Sequence, residues 1–175
     1  MRSWLVIALA ACGPSNAEIK TAKEASYNAS LPDMIEVAKQ AISDEYKVAG
    51  VDQGDCVGDE GECTAVVASV RRFYGPEGDL QSSIGSSPDG RTEFVHMTNG
   101  TVGSAFLVKL HRTAAHAVIV EVVPDTFQYI NTPQPRPLAP DDPNLPPFIH
   151  GRADALAARI YDLGKKYVVA APPGH

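Results

Sequence analysis

The chain has 175 residues, 21 of them acidic against 15 Lys and Arg, for a formal net charge of −6. That length suits one domain with a substantial core. An acidic chain without a Lys/Arg cluster excludes a nucleic-acid or polybasic-membrane binder, and 7% aromatic residues supply no carbohydrate platform or aromatic cage.

The first predicted element is a leader. Arg2 is the only charge before Glu18, and the eight residues from Trp4 to Ala11 are apolar. So short a run cannot cross a bilayer as a helix, which needs about 20 residues. A basic start, a brief apolar run and small residues at its end describe a secretory signal peptide over 1–11. The competing reading is an ordinary N-terminal helix with a buried Cys12. The tetrapeptide Leu9-Ala10-Ala11-Cys12 resembles the lipobox of bacterial lipoproteins. That resemblance implies cleavage before Cys12 and acyl chains on its sulfur and new amino group; two or more chains anchor stably where one does not. Gly13 stands where an aspartate would retain a lipoprotein in the inner membrane, which implies the outer membrane, facing the periplasm. Residues 12–18 then form a lipidated tether.

Residues Ile19 to Ala29 alternate weakly, with Ile19, Thr21, Ala25 and Tyr27 in one phase, and are read as an edge strand. Their Ala, Glu and Lys content makes a helix the competing reading. Next, Ser30 is an N-cap, Pro32 suits a first turn, and Asp33 stands three residues after the serine. Leu31, Met34, Ile35, Ala38, Ala41, Ile42 and Tyr46 recur at helical spacing and predict a core-facing helix to Tyr46.

A short strand is predicted over 47–52 and a longer one over 64–74. In the latter, Val66, Ala68 and Val70 share a face, and Arg71 and Arg72 point oppositely. Between them lies DCVGDEGEC. With Cys12 lipidated, Cys56 and Cys63 remain, and an exported chain meets an oxidising compartment, so the two are expected as a disulfide. Closing so small a loop is worth about 2.5 kcal/mol on the chain-entropy model. The C-x6-C spacing fits no common zinc motif. Asp52, Asp55, Asp59, Glu60 and Glu62 crowd the loop; calcium is conceivable, but the EF-hand pattern is absent, and the acids are read in preference to it as a solvated hairpin tip.

Residues 75–91 read as a long Gly/Ser/Pro loop, a length at which loops are often functional or mobile. Asn99-Gly100 then predicts a two-residue hairpin with Thr98 facing Thr101 and Val95 facing Ser104. A third run from His116 follows after Thr113-Ala114-Ala115 and completes a meander, continuing beyond Pro124 to Ile130. Residues 133–147 hold seven prolines and favour extended polyproline conformation, as a strap across the domain or as a ligand for an SH3-like module. From Phe148 the stripe Ile149, Ala153, Leu156, Ile160, Leu163 and Tyr167 predicts a helix that covers a sheet. Residues 168–175 are expected to fray.

The resulting expectation is one α+β domain over 19–167, an antiparallel sheet of about five strands with two helices on one face. The order of its opening elements is similar to the helix-grip domains of outer-membrane assembly lipoproteins, and no site residue is carried over from that likeness. No G-x-S-x-G elbow or phosphate loop occurs. His96, His111 and His116 lie on or beside predicted strands, and two histidines across a turn make a weak metal site. Asp141-Asp142 reads as turn chemistry. The chain is therefore read as a non-catalytic envelope lipoprotein without cofactor, anchored in the membrane and binding an envelope protein. A lipoprotein holding a small or lipidic ligand between sheet and helices, and an envelope hydrolase, are the alternatives.

Overall fold

The computed structural model describes residues 13–54, 56, 61–81, 83–86, 93–95, 99–113, 115–129 and 134–169. Cys12 and the expected leader over 1–11 lie outside them. An open antiparallel sheet carries three helices. Its main path runs β1 (Ser26–Tyr27), β8 (Val118–Gln128), β7 (Val102–Arg112), β3 (Cys63–Ser69), β2 (Val48–Gln53). Two short strands make seven: β4 (Arg72–Tyr74) also pairs with β7, and β9 (Arg136–Leu138) with β8. A separate ribbon of β5 (Ser83–Ser86) and β6 (Glu93–Val95) lies within the stretch expected to be unstructured loop and hairpin arm.

The edge strand expected over 19–29 is instead a helix, α1 (Asn16–Glu24), and only its last residues enter β1. A capping box decides this. Ser15 Oγ accepts from Glu18 N at 3.3 Å, and Ser15 N donates to the Glu18 carboxylate at 2.8 Å. Two groups orphaned at a helix start are thus satisfied reciprocally, which outweighs a weak alternation. The expected tether shortens with it, because the helix already includes residues 16–18.

α2 (Leu31–Glu45) starts as its sequence predicts, Ser30 Oγ accepting from Asp33 N at 3.2 Å, and buries Leu31, Met34, Ile35, Ala38, Ala41 and Ile42. α3 (Pro147–Gly164) buries Ile149, Ala153, Leu156, Ala157 and Ile160. Both contribute to one core with the sheet, and α1 packs on α3. Ion pairs tie the helices together: Lys23 to Asp154 at 2.6 Å, Arg159 to Asp44 at 2.6 Å, Arg152 to Glu45 at 3.1 Å. Exposed pairs of this kind add little stability, but here they join separate helices. Gly164 ends α3 where the Tyr27 ring lies; a Cβ there would stand 2.8 Å from Tyr27 Cε1. The tail does not fray at once. Val168 bridges Tyr27, and Val169 N donates to Ser26 O at 2.9 Å.

The strand expected over 64–74 is broken. Ala68 faces Leu107 and Arg72 faces Ser104, so Ser69, Val70 and Arg71 stand against Ala105 and Phe106, one residue too many. The bulge is closed by a side chain: Phe106 N donates to the buried Ser69 Oγ at 2.9 Å. Cys63, Ala65, Val67 and Ser69 form the buried phase of β3, while Val66 and Ala68 look outward. Arg71 and Arg72 do diverge, Arg71 to Asp125 on the outer face and Arg72 over the Tyr46 ring on the helix side.

The hairpin across Asn99-Gly100 does not form as expected. Val95 pairs with Ser83, and both edges of β7 at Ser104 are taken, by Arg72 and Thr126. Gly100 does adopt the positive φ, 89°, that its turn signal implies. Thr98 lies outside the described residues. The β7–β8 hairpin is present, and β8 runs through Pro124. Tyr129 N donates to Thr101 O and Thr113 N to Ala117 O, so hydrogen-bonded pairs alternate and Phe106–Pro124 is a non-hydrogen-bonded pair. Pro124 thus turns its donor-less nitrogen into the gap between β1 and β9, where no strand among the described residues asks for an N–H. Within the proline-rich stretch, β9 pairs at the edge of β8 and is followed by turns leading to α3.

Candidate interaction surface

The period of the strands fixes what each sheet face carries. Inward rows such as Ala65–Leu110–Val120 and Val67–Val108–Val122 meet the helices. Outward rows alternate with them: Thr64–His111–Ile119, Asp52–Val66–Lys109–Glu121 and Ala68–Leu107–Val123. Thr64, Lys109, His111 and Glu121 are exposed, Val66, Ala68, Leu107 and Val123 half-buried, and Ile119 is 44% exposed. A depression of about 730 Å³ takes in residues of both faces, inward Leu110 and Val120 and Lys23 of α1 as well as Lys109, Ile119 and Glu121.

The charges on this face are balanced. Lys109 Nζ stands 3.7 Å from Glu121, and Arg71 binds Asp125 at 2.9 Å while lying 4.4 Å over the Phe127 ring. Apolar rows flanked by both signs of charge suit a protein surface better than a polyanion. Edge strand β2 borders this face and, among the described residues, pairs only with β3; Val51 on it is 43% exposed.

The centre of the layer between sheet and helices is packed. Met34, Ile42, Phe106, Leu110, Ile149, Leu156 and Ile160 are each at most 3% exposed and belong to one cluster. At one end of it sits an aromatic and cationic group. Tyr46 stacks on Phe106 at 5.2 Å and Tyr74 on Phe148 at 5.8 Å, with Arg72 over the first tyrosine and Arg152 over the second. Burial pushes both phenols up, so they stay protonated at neutral pH. Their hydroxyls and Arg152 Nε make no hydrogen bond. This group offers neither a general base nor a nucleophile activated by one.

Of the residues the sequence singles out, Cys56 and Cys63 are joined by a disulfide, their Cα atoms 4.6 Å apart. Part of the acidic loop, including Asp55, Asp59 and Glu60, lies outside the described residues, as do His96 and Pro133. His111 lies on the outer face beside Ile119, whereas His116 occupies the β7–β8 turn with φ of 60°. Among the described residues no group of three or more His, Cys, Asp or Glu is placed to hold a metal ion, and no helix is long and apolar enough to cross a membrane. Asp142 makes a turn, as expected: its carboxylate accepts from Asn144 N at 2.8 Å, which holds its pKa below the usual range.

The outward rows themselves are absent from any reading of the sequence alone. Their signal, the alternation of Val66 and Ala68 with Ala65 and Val67, carries no indication of which phase is buried. Compared with family models, with curated proteins and with solved structures, the chain matches none.

Proposed function

We propose that the protein is a non-catalytic lipoprotein of the bacterial envelope, anchored through Cys12 in the outer membrane and facing the periplasm, and that its outer sheet face binds another envelope protein. The observation that carries the binding role is the set of three outward rows, exposed at Asp52, Thr64, Lys109, His111, Ile119 and Glu121 and half-buried elsewhere, part apolar and charge-balanced. The lipobox Leu9–Cys12 supports the anchor. The disulfide between Cys56 and Cys63 suits an oxidising compartment.

The packed centre between sheet and helices weighs against a ligand held within it, and the laying of α2 and α3 on one antiparallel sheet keeps the helix-grip-like reading of the fold. The test is cross-linking of the lipidated protein in its own membranes, with Ile119→Arg compared with wild type. A single cross-linked protein lost from the Ile119→Arg variant supports this reading. A variant that keeps every cross-link removes the sheet face from it.

A further inference from the structure

We infer that the domain rides directly on the bilayer, with the flank of α1 and α3 toward the headgroups and the outer sheet face turned to the aqueous side; this rests on the lipid anchor proposed above. The length of chain between anchor and fold is short. The capping box closes at Ser15, three residues after Cys12, and α1 begins at the next residue, Asn16. Gly13 and Pro14 already lie against α3, lining a groove of about 370 Å³ with Glu18, Ala158, Tyr161 and Asp162. Cys12 is one peptide from Gly13, about 3.8 Å between Cα atoms. Acyl chains on Cys12 therefore leave the protein at this groove.

The groove lies on the far side of the helix layer. α3 turns Leu156 and Ile160 to the sheet. Ala158 and Asp162 each follow one of these by two residues, which on a helix places them on nearly the opposite side. One sheet and one helix layer then separate the anchor point from the outer sheet rows, roughly 20 Å. A chain pinned within a few ångströms of its lipid cannot turn those rows to the headgroups without lifting the anchor.

Charge does not set this pose. On the flank, Lys20 pairs with Glu24, Arg159 with Asp44 and Lys165 with Asp162. A surface whose cations are paired exerts little pull on anionic lipid. Tyr161 and Tyr167, with Lys165 and Lys166 over their rings, offer the amphipathic side chains that settle at a headgroup boundary. The partner read by the sheet rows accordingly approaches from the periplasm, not sideways within the membrane plane.

The experiment uses the lipidated chain in phosphatidylcholine–phosphatidylglycerol vesicles containing spin-labelled lipid, with a fluorophore on Lys165→Cys or on Glu121→Cys. Lys165 marks the flank and Glu121 the outer rows. The expected result is loss of most emission at position 165 and little loss at 121. Inserting a flexible linker of about 12 residues after Cys12, spanning about 20 Å, should abolish the contrast. Equal quenching at both sites, or a contrast that survives the linker, overturns the inference. A chain that carries lipid yet shows these results leaves the anchor intact and only the orientation refuted; a chain from native membranes without lipid refutes the anchor itself.

Discussion

Ser69 Oγ accepts the backbone N–H of Phe106 at 2.9 Å, inside the sheet, where a ladder partner is missing. The bulge at 69–71 leaves that N–H facing no carbonyl, and the serine supplies the acceptor. Ser69→Ala should therefore orphan a buried donor and cost about 1–3 kcal/mol in urea denaturation. A loss indistinguishable from zero would mean that the bulge re-pairs without it.

Much of this fold was legible from period and caps, and the reasons differ by element. α2 and α3 carry long apolar stripes, Leu31 to Ile42 and Ile149 to Ile160, that no other period explains. α1 was misread because eleven weakly alternating residues fit two periods; the deciding signal, Ser15 with Glu18 three on, was present in the sequence. The bulge was not legible, since it depends on a hydroxyl reaching an N–H 37 residues away in the chain. Asn99-Gly100 announced a turn correctly, but the partner of β7 is set by competition among β3, β4 and β8, which local pattern does not encode. The candidate surface was invisible for the same reason: long-range pairing chooses which phase of β3 is buried.

The final helix provides a direct measure of the core. Leu156 and Ile160 are 3% and 1% exposed at the centre of the α3 stripe. Leu156→Ala or Ile160→Ala should each cost about 2–5 kcal/mol by chemical denaturation. Losses below about 0.5 kcal/mol for both would place the stripe in water instead of the core.

The buried phenols predict an alkaline weakness. Burial pushes the Tyr27 hydroxyl up to about 12, and it raises Tyr46 and Tyr74 too. A phenol in the unfolded chain titrates near 10. The folded values lie above the unfolded one, so this contribution is complete below about pH 10 and is lost as pH rises toward about 12. Denaturation midpoints should fall across that window, and Tyr27→Phe should fall less steeply. Parallel curves for the two proteins would contradict it.

Tyr74 is 1% exposed and its hydroxyl makes no hydrogen bond, while its ring stacks on Phe148 and lies under Arg152. Tyr74→Phe keeps the ring and removes a buried unpaired group. The variant should be as stable as wild type or more so, by up to about 1 kcal/mol. A clear destabilisation would show that the hydroxyl has a partner that the geometry lacks.

The central claim is an anchor at Cys12, and the intact mass of the chain extracted from bacterial membranes tests it most directly. The expected species is a polypeptide beginning at Cys12, heavier than its sequence by two or more acyl chains attached there and lighter by the two hydrogens of the Cys56–Cys63 disulfide. A chain that retains residues 1–11, or one that begins at Cys12 without lipid, would contradict it.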